Sequence, residues 1–119
     1  MRITLIGAGA MGEALLTGWL AAGHAPEELS IVEPAAARAE AVRERHGVRA
    51  VELPEAAASE VVVLAVKPHQ IDAVLADLSR ALEGRSGPLV VSIAAGTPLA
   101  QLEAGLPAGA AVVRVMPNT

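Results

Sequence analysis

Short apolar runs alternate along the chain with longer stretches rich in Ala, Leu, Glu and Arg. Six runs rich in β-branched residues predict strands: Ile3–Ile6, Leu29–Val32, Val48–Val51, Val61–Val66, Leu89–Ile93 and Ala111–Val115. The stretches between them predict helices: Ala10–Ala22, Ala35–His46, Pro54–Ala58, His69–Leu82 and Pro98–Ala104. The segment after the third run is too short for a full crossover helix, so we expect a turn or less there.

The fourth run and, apart from Ser92, the fifth are apolar, without the alternation typical of a strand that has one solvent-exposed face. Such runs are typical of strands covered on both sides by helices in a parallel sheet. Strands that alternate with helices indicate βαβ units. The pattern therefore predicts one α/β domain over residues 1–119, Rossmann-like, with a mostly parallel open sheet and helices on both faces.

Composition narrows the classes of protein and site. The chain has 119 residues, 53% of them hydrophobic, a net charge of −4 and Trp19 as its sole aromatic. The absence of Cys excludes disulfides, a thiolate nucleophile and Cys-based zinc sites. Without a Lys/Arg cluster or aromatic platforms, a nucleic-acid surface is not expected. No apolar run reaches the length of a membrane span, and glycines and Glu13 interrupt the N-terminal one, so we expect a cytoplasmic protein.

A glycine-rich motif joins the first predicted strand to the first helix. Ile6 ends the strand, and the motif that follows is Gly7-Ala8-Gly9-Ala10-Met11-Gly12, a G-x-G-x-x-G pattern. Gly7 permits a tight turn, Gly9 lets a pyrophosphate approach the backbone, and Gly12 lets the helix pack closely on the strand. The helix N-terminus then offers N–H groups and a positive dipole to phosphates. This context predicts a dinucleotide-binding domain, against the alternative of a flexible turn.

An acidic residue follows the second strand at the position expected of a ribose ligand. Glu33 lies 21 residues after Gly12. A carboxylate there accepts hydrogen bonds from ribose hydroxyls and repels a 2′-phosphate, which favours NAD(H) over NADP(H). Arg38 is the nearest base and is able to reach a 2′-phosphate, so NADP(H) stays open. Two further alternatives are an ordinary exposed Glu and another nucleotide-like ligand such as S-adenosylmethionine.

The ends of the later strands carry a second group of candidate residues, because ligands of such folds bind beyond the carboxyl ends of strands. Lys67, the sole Lys of the chain, follows the fourth strand, and small residues up to Gly96 follow the fifth. Asn118, after the sixth, is a donor and acceptor for a carboxamide or sugar. The three His lack metal-site spacing, and we expect surface or cap roles for them, with His69 nearest a ligand.

At these segments the chain resembles the cofactor half of pyrroline-5-carboxylate reductase, in order and over its whole length. The shared segments are Ile6-Gly-Ala-Gly-Ala-Met-Gly12-Glu-Ala-Leu15, Ala65-Val-Lys-Pro68, Ser92-Ile-Ala-Ala-Gly96 and Arg114-Val-Met-Pro-Asn-Thr119. The resemblance implies reduction of L-1-pyrroline-5-carboxylate to L-proline with NADPH or NADH, the last step of proline biosynthesis. It does not identify a catalytic residue in this chain.

The resemblance also implies roles for individual residues. The backbone of Ile6–Met11 would hold the pyrophosphate. Ala95 and Gly96 would line the nicotinamide cleft, and Asn118 would belong to the loop leading towards the substrate. The residues bordering the nicotinamide end would be Ala65, Val66, Lys67 and Pro68.

Two features depart from the family's pattern. Glu33 and Pro34 stand where NADPH-preferring members usually carry small polar residues, and Glu52 stands where they commonly carry an Asn. Both changes put an NADPH preference in doubt. Family members also continue past the position of Thr119 into a helical domain that supplies the dimer interface and most of the substrate pocket. We therefore expect this chain to bind cofactor weakly and not to turn over, and the full-length form to be a homo-oligomer.

Two other functions remain open at this point. One is a β-hydroxyacid dehydrogenase relative, from which Ser92–Gly96 and Arg114–Thr119 distinguish the imine reductase. The other is a non-catalytic module that senses NAD(P) and regulates a partner.

Overall fold

Strands and helices alternate through residues 1–83, 87–94 and 96–115, which the computed structural model describes. The strands are β1 (Ile3–Ile6), β2 (Leu29–Val32), β3 (Arg49–Ala50), β4 (Val61–Leu64), β5 (Leu89–Ser92) and β6 (Val112–Arg114). The helices are α1 (Ala10–Ala21), α2 (Ala36–His46), α3 (Leu53–Ala56), α4 (Ile71–Ala81) and α5 (Leu99–Gly105). Single 3₁₀ turns at Pro26–Glu28 and Pro68–Gln70 precede β2 and α4.

The described strands form one sheet in the order β3-β2-β1-β4-β5-β6, and every pairing among them is parallel. Ile6 at the end of β1 is in register with Val32 of β2 and with Leu64 of β4. The chain runs outward from β1 through β2 to β3 and then crosses back to β4, which lies on the other side of β1. This reversal opens a crevice beyond the carboxyl ends of β1 and β4, where ligands of open α/β sheets bind. The predicted parallel α/β fold is confirmed.

Two apolar clusters, one on each face of the sheet, form the core. Leu5 of β1 packs on one face with Leu16 of α1 and Val42 of α2, and Trp19 lies partly buried against this cluster. The other face packs against α3, α4 and α5, with the apolar side chains Leu64, Leu75, Leu78, Val90 and Leu102 at its centre. The predicted cover of helices on both faces is thereby confirmed.

Several elements are shorter than their apolar runs predict. β4 ends at Leu64 rather than Val66, because its pairing with β1 stops where the chain turns away at Gly7. β3 keeps two residues, and a 3₁₀ turn replaces the predicted start of α4. The expected short segment after β3 is the four-residue α3.

Candidate functional site

Two of the three glycines of the G-x-G-x-x-G motif, Gly7 after β1 and Gly12 in the first turn of α1, are required by the fold itself. Gly7 has a φ of +97°, and a Cβ there would lie 2.7 Å from the carbonyl oxygen of Ala65. A Cβ on Gly12 would lie 2.2 Å from the carbonyl oxygen of Gly7. Both distances are well inside van der Waals contact, so a side chain at either position would force the backbone apart. These are the tight turn and the close helix packing that the motif predicts.

Gly9 has no comparable constraint. It caps α1 with φ −74° and ψ −166°, an extended backbone open to other residues. Within the described part of the chain, no heavy atom outside its immediate neighbours lies within 4 Å of a Cβ built at Gly9. Ala10 and Met11, which follow it, are exposed. The first turn of α1, with its N–H groups and positive dipole, is therefore open to approach from outside.

The peptide groups of Ala8 are held from the side of β2 and α2. The Ala8 N–H donates to Oε1 of Glu33 at 3.0 Å, and Nε of Arg38 donates to the Ala8 carbonyl oxygen at 2.6 Å. The other oxygen of Glu33 accepts the N–H of Ala35 at 3.0 Å. Glu33, partly buried, thus lies after β2 as predicted and contacts the glycine-rich loop, which its sequence position alone did not indicate.

Glu13 in the first turn of α1 gathers three basic side chains of α2. Oε1 accepts a hydrogen bond from Arg38 at 2.7 Å, and Oε2 lies 2.6 Å from Nε2 of His46 and also pairs with Arg45. The bonds from His46 and Arg45, followed by that from Arg38, lower the pKa of Glu13 to about 2. Arg38, the base considered for a 2′-phosphate, is engaged by Glu13 and Ala8 instead.

A cleft of about 770 Å³ opens between the ends of β1, β2 and β3 and the helices α2 and α4. Its apolar wall includes side chains contributed by several elements: Ile6, Val32, Ala39, Val51, Leu53, Val66, Ala73 and Val74. Its polar lining consists of Glu33, Glu40, Glu52, His69, Gln70 and Asp77. The cleft has the size and the mixed lining typical of small-molecule sites.

The polar lining of this cleft is acidic. Among the described residues that line it, four carry carboxylates and none is Lys or Arg. The sequence singled out Glu33 and Glu52, whereas Glu40 and Asp77 were missed. Helical spacing is the pattern that could have predicted them. Glu40 lies four residues after Ala36, and Asp77 lies four after Ala73, so each pair shares the helix face that lines the cleft.

The segments after β4 and β5 lie side by side. The Ile93 N–H donates to the Leu64 carbonyl oxygen at 3.0 Å, so the two segments leave the sheet side by side. Lys67 and Pro68 are exposed, and the Lys67 N–H donates to Oε1 of Gln70 at 3.1 Å.

Of the predicted site residues, the structure brings Ile6, Gly7, Glu33 and Val66 into the lining of the cleft. Gly96 is exposed, with a φ of +75°. Ala95 and Asn118, also predicted, lie outside the described residues.

The histidines occupy three different places. His69 lines the cleft, His46 ends α2 beside Glu13, and His24 follows α1, where its N–H donates to the Trp19 carbonyl oxygen at 3.1 Å. In the described ranges, no group of three or more His, Cys, Asp or Glu side chains is arranged to hold a metal ion. None of the helices described is both long enough and apolar enough to cross a membrane.

Comparison with known proteins extends the resemblance noted in the sequence. Pyrroline-5-carboxylate reductase of Synechocystis sp. is 41% identical over 122 residues, which cover 100% of this chain and 44% of that protein. The structure of a pyrroline-5-carboxylate reductase from Coxiella burnetii superposes with a TM-score of 0.91 at 33% identity, over 99% of this chain and 44% of that one. The resemblance to this enzyme is confirmed.

A second solved structure is that of Plasmodium falciparum pyrroline carboxylate reductase with NADP bound. It superposes with a TM-score of 0.82 at 26% identity, over 99% of this chain and 42% of that one. The chain thus spans less than half the length of each of these three relatives.

A family model described as NADP oxidoreductase coenzyme F420-dependent matches residues 2–96. The matched segment runs from β1 through the end of β5 and includes the glycine-rich loop and the acidic cleft. Because it covers most of the chain, the protein belongs to the NADP oxidoreductase coenzyme F420-dependent family.

Proposed function

We propose that the chain is the cofactor-binding part of a pyrroline-5-carboxylate reductase, an oxidoreductase that reduces L-1-pyrroline-5-carboxylate to L-proline with NADH or NADPH. Support comes from a relative of that name, 41% identical over the whole chain, and from a neighbour of similar fold with NADP bound. The observation that best supports the proposal is the open space beside Gly9. The lack of a side chain there serves no packing need inside the described structure and leaves the N-terminus of α1 accessible.

The residues present fit a dinucleotide. The backbone from Ile6 to Met11 would hold the pyrophosphate, because the space in front of Gly9 is free and the first turn of α1 offers N–H donors. The adenosine would occupy the cleft of about 770 Å³, whose apolar wall suits an adenine ring. Glu33 at the rim would accept hydrogen bonds from the ribose hydroxyls.

The nicotinamide would lie across the sheet, beside the ends of β4 and β5. Ala65–Pro68 and Ala95-Gly96 would border it, and Asn118 would lead towards the substrate. When bound, the reduced nicotinamide supplies the hydride for the C=N carbon of the substrate. The contribution of this chain is to hold and orient the cofactor through backbone and small residues.

The charges of the cleft favour NADH over NADPH. Glu40 pairs with Arg43 and Asp77 with Arg80, while Arg38 is bonded to Glu13. The cleft carboxylates that have no arginine partner among the described residues are therefore Glu33 and Glu52. A 2′-phosphate would add negative charge beside these carboxylates with no basic residue among the described lining to offset it.

Further parts of the proposal concern the whole enzyme. A helical domain following this one in the full-length protein would supply the dimer interface and most of the pocket for L-1-pyrroline-5-carboxylate. The full-length form would be a cytoplasmic homo-oligomer. Relatives that exceed twice the length of this chain support the presence of a further domain in the full-length protein.

Calorimetric titration with NADH and NADPH in parallel tests the proposal. We expect both to bind, NADH more tightly, and a Gly9→Val variant to lose binding while its thermal unfolding midpoint stays close to that of the unmodified chain. Failure of both nucleotides to bind the unmodified chain would refute the cofactor role. Tighter binding of NADPH would instead refute the preference alone.

A further inference from the structure

Helix α2 reaches the glycine-rich loop through one side chain. Arg38 lies in the first turn of α2, and its Nε donates to the Ala8 carbonyl oxygen at 2.6 Å. That carbonyl belongs to the peptide joining Ala8 to Gly9, the residue that caps α1. Arg38 therefore holds the peptide directly in front of the open helix N-terminus.

Arg38 is itself fixed from α1. One Nη donates to Oε1 of Glu13 at 2.7 Å, and the side chains of Glu13 and Arg38 are 15% and 34% exposed. The planar guanidinium spans carboxylate and carbonyl at once, which sets its orientation. On the opposite side, Glu33 accepts the Ala8 N–H at 3.0 Å, so both peptides of Ala8 are tied down.

We propose that Arg38, oriented by Glu13, is a positioning residue that holds the Gly7–Gly9 loop ready for a pyrophosphate. The inference rests on the cofactor role proposed above. Glycines lose more backbone freedom on ordering than other residues do. A loop already held in the free protein does not pay that entropy when the ligand binds, so bracing raises affinity without any contact to the ligand.

A different explanation for an effect of Arg38 on nucleotide binding would be that the positive charge of α2 simply attracts the phosphates. Arg45 separates the two, because it also pairs with Glu13 and carries the same charge, while its recorded partner is Glu13 and not Ala8. Loss of charge is equal in Arg38→Ala and Arg45→Ala. Loss of the bond to the loop occurs only in Arg38→Ala.

NADH titration of the complete 119-residue chain compares these variants. Arg38→Ala is expected to weaken binding about tenfold, the effect of losing one charge-assisted hydrogen bond, and Arg45→Ala less than about threefold. Arg38→Lys, which keeps the charge but cannot span both partners in one plane, is expected to fall between them. Equal losses in Arg38→Ala and Arg45→Ala, or none in Arg38→Ala, would overturn the bracing.

Amide hydrogen exchange in the absence of nucleotide tests the same bracing independently of the cofactor role. The Ala8 amide is expected to exchange several-fold faster in Arg38→Ala than in Arg45→Ala, at matched stability to urea. Unchanged Ala8 exchange in Arg38→Ala would refute the bracing even if NADH binds. If the Ala8 amide exchanges faster in Arg38→Ala but the unmodified chain binds no NADH, the bracing by Arg38 is supported and the proposed function is refuted.

Discussion

The three glycines of the G-x-G-x-x-G motif are subject to different constraints. Gly7 and Gly12 lie against backbone carbonyls of the protein, whereas Gly9 borders space that no described atom fills. Within one motif, Gly7 and Gly12 are thus required for folding, whereas Gly9 leaves space that a ligand can enter.

Alanine substitutions should separate these requirements. Gly12→Ala is expected to lower the free energy of unfolding by about 2 to 3 kcal/mol, because its Cβ would meet the Gly7 carbonyl oxygen at 2.2 Å. Gly9→Ala should stay within about 1 kcal/mol of the unmodified chain, the range of N-cap effects. Urea unfolding of the two variants measures both values. A destabilised Gly9→Ala would mean that folding, and not ligand approach, requires this glycine.

The variant Glu33→Ser tests the effect of the cleft's negative charge on cofactor choice. The substitution removes a carboxylate from the lining of the cleft, so the affinity for NADPH should rise relative to that for NADH. Parallel titrations at one ionic strength measure the ratio. Because Glu33 also accepts the Ala8 N–H, affinity for both nucleotides falls together if its role is only to hold the loop.

The roles of single residues could be predicted where they follow from local spacing. The turn at Gly7 and the packing at Gly12 are properties of the motif itself. The bond from Arg38 to Ala8 joins residues 30 apart in sequence, and it depends on how α2 packs over the loop. No pattern in the sequence encodes that placement.

Among the elements, α1 and α2 are joined by charge as well as by apolar packing. Glu13 of α1 binds basic groups of α2, while Leu16 and Val42 share the core below them. The two contacts fix the angle between the helices that flank the site.

This junction should make stability depend on pH in the acid range. The pKa of Glu13 is lowered to about 2 in the folded protein from an ordinary value of 4.5, so folding favours the charged form. Its contribution is complete above pH 4.5 and is lost as pH falls towards 2. Urea unfolding of the unmodified chain and Glu13→Gln should show a difference that shrinks across this window. A difference that stays constant down to pH 2 would contradict the junction.

Element cores were predictable and element ends were not. Short runs rich in β-branched residues identified every described strand, and the central strands β1 and β4 are mostly buried, as expected of strands covered on both faces. β4 nevertheless stops at Leu64, where its partner turns at Gly7, and an end set by a partner strand leaves no mark in its own sequence. The acidic cleft escaped prediction in part for the same reason, since Glu40 and Asp77 come from helices on separate segments.

The whole molecule is a parallel sheet with a helical layer on each face and a crevice where its winding reverses. In the proposed function that architecture holds a dinucleotide, and it corresponds to less than half the length of two pyrroline-5-carboxylate reductase relatives.

We therefore expect the 119-residue chain to bind NADH without reducing pyrroline-5-carboxylate. The physical reason is that hydride transfer needs the substrate held against the nicotinamide, and the proposed pocket draws mainly on a following domain. A steady-state assay of NADH oxidation with and without pyrroline-5-carboxylate measures this. Clear turnover would show that this domain itself holds the substrate.

Trp19 has a practical consequence for optical experiments. It is the only aromatic residue of the chain, and it lies partly buried against the core shared by α1 and α2. Intrinsic fluorescence therefore reports on one face of the sheet alone, while circular dichroism averages over all helices. If the two transitions coincide during unfolding, both faces melt as one cooperative unit; if they separate, the layer beside the glycine-rich loop has its own melting behaviour.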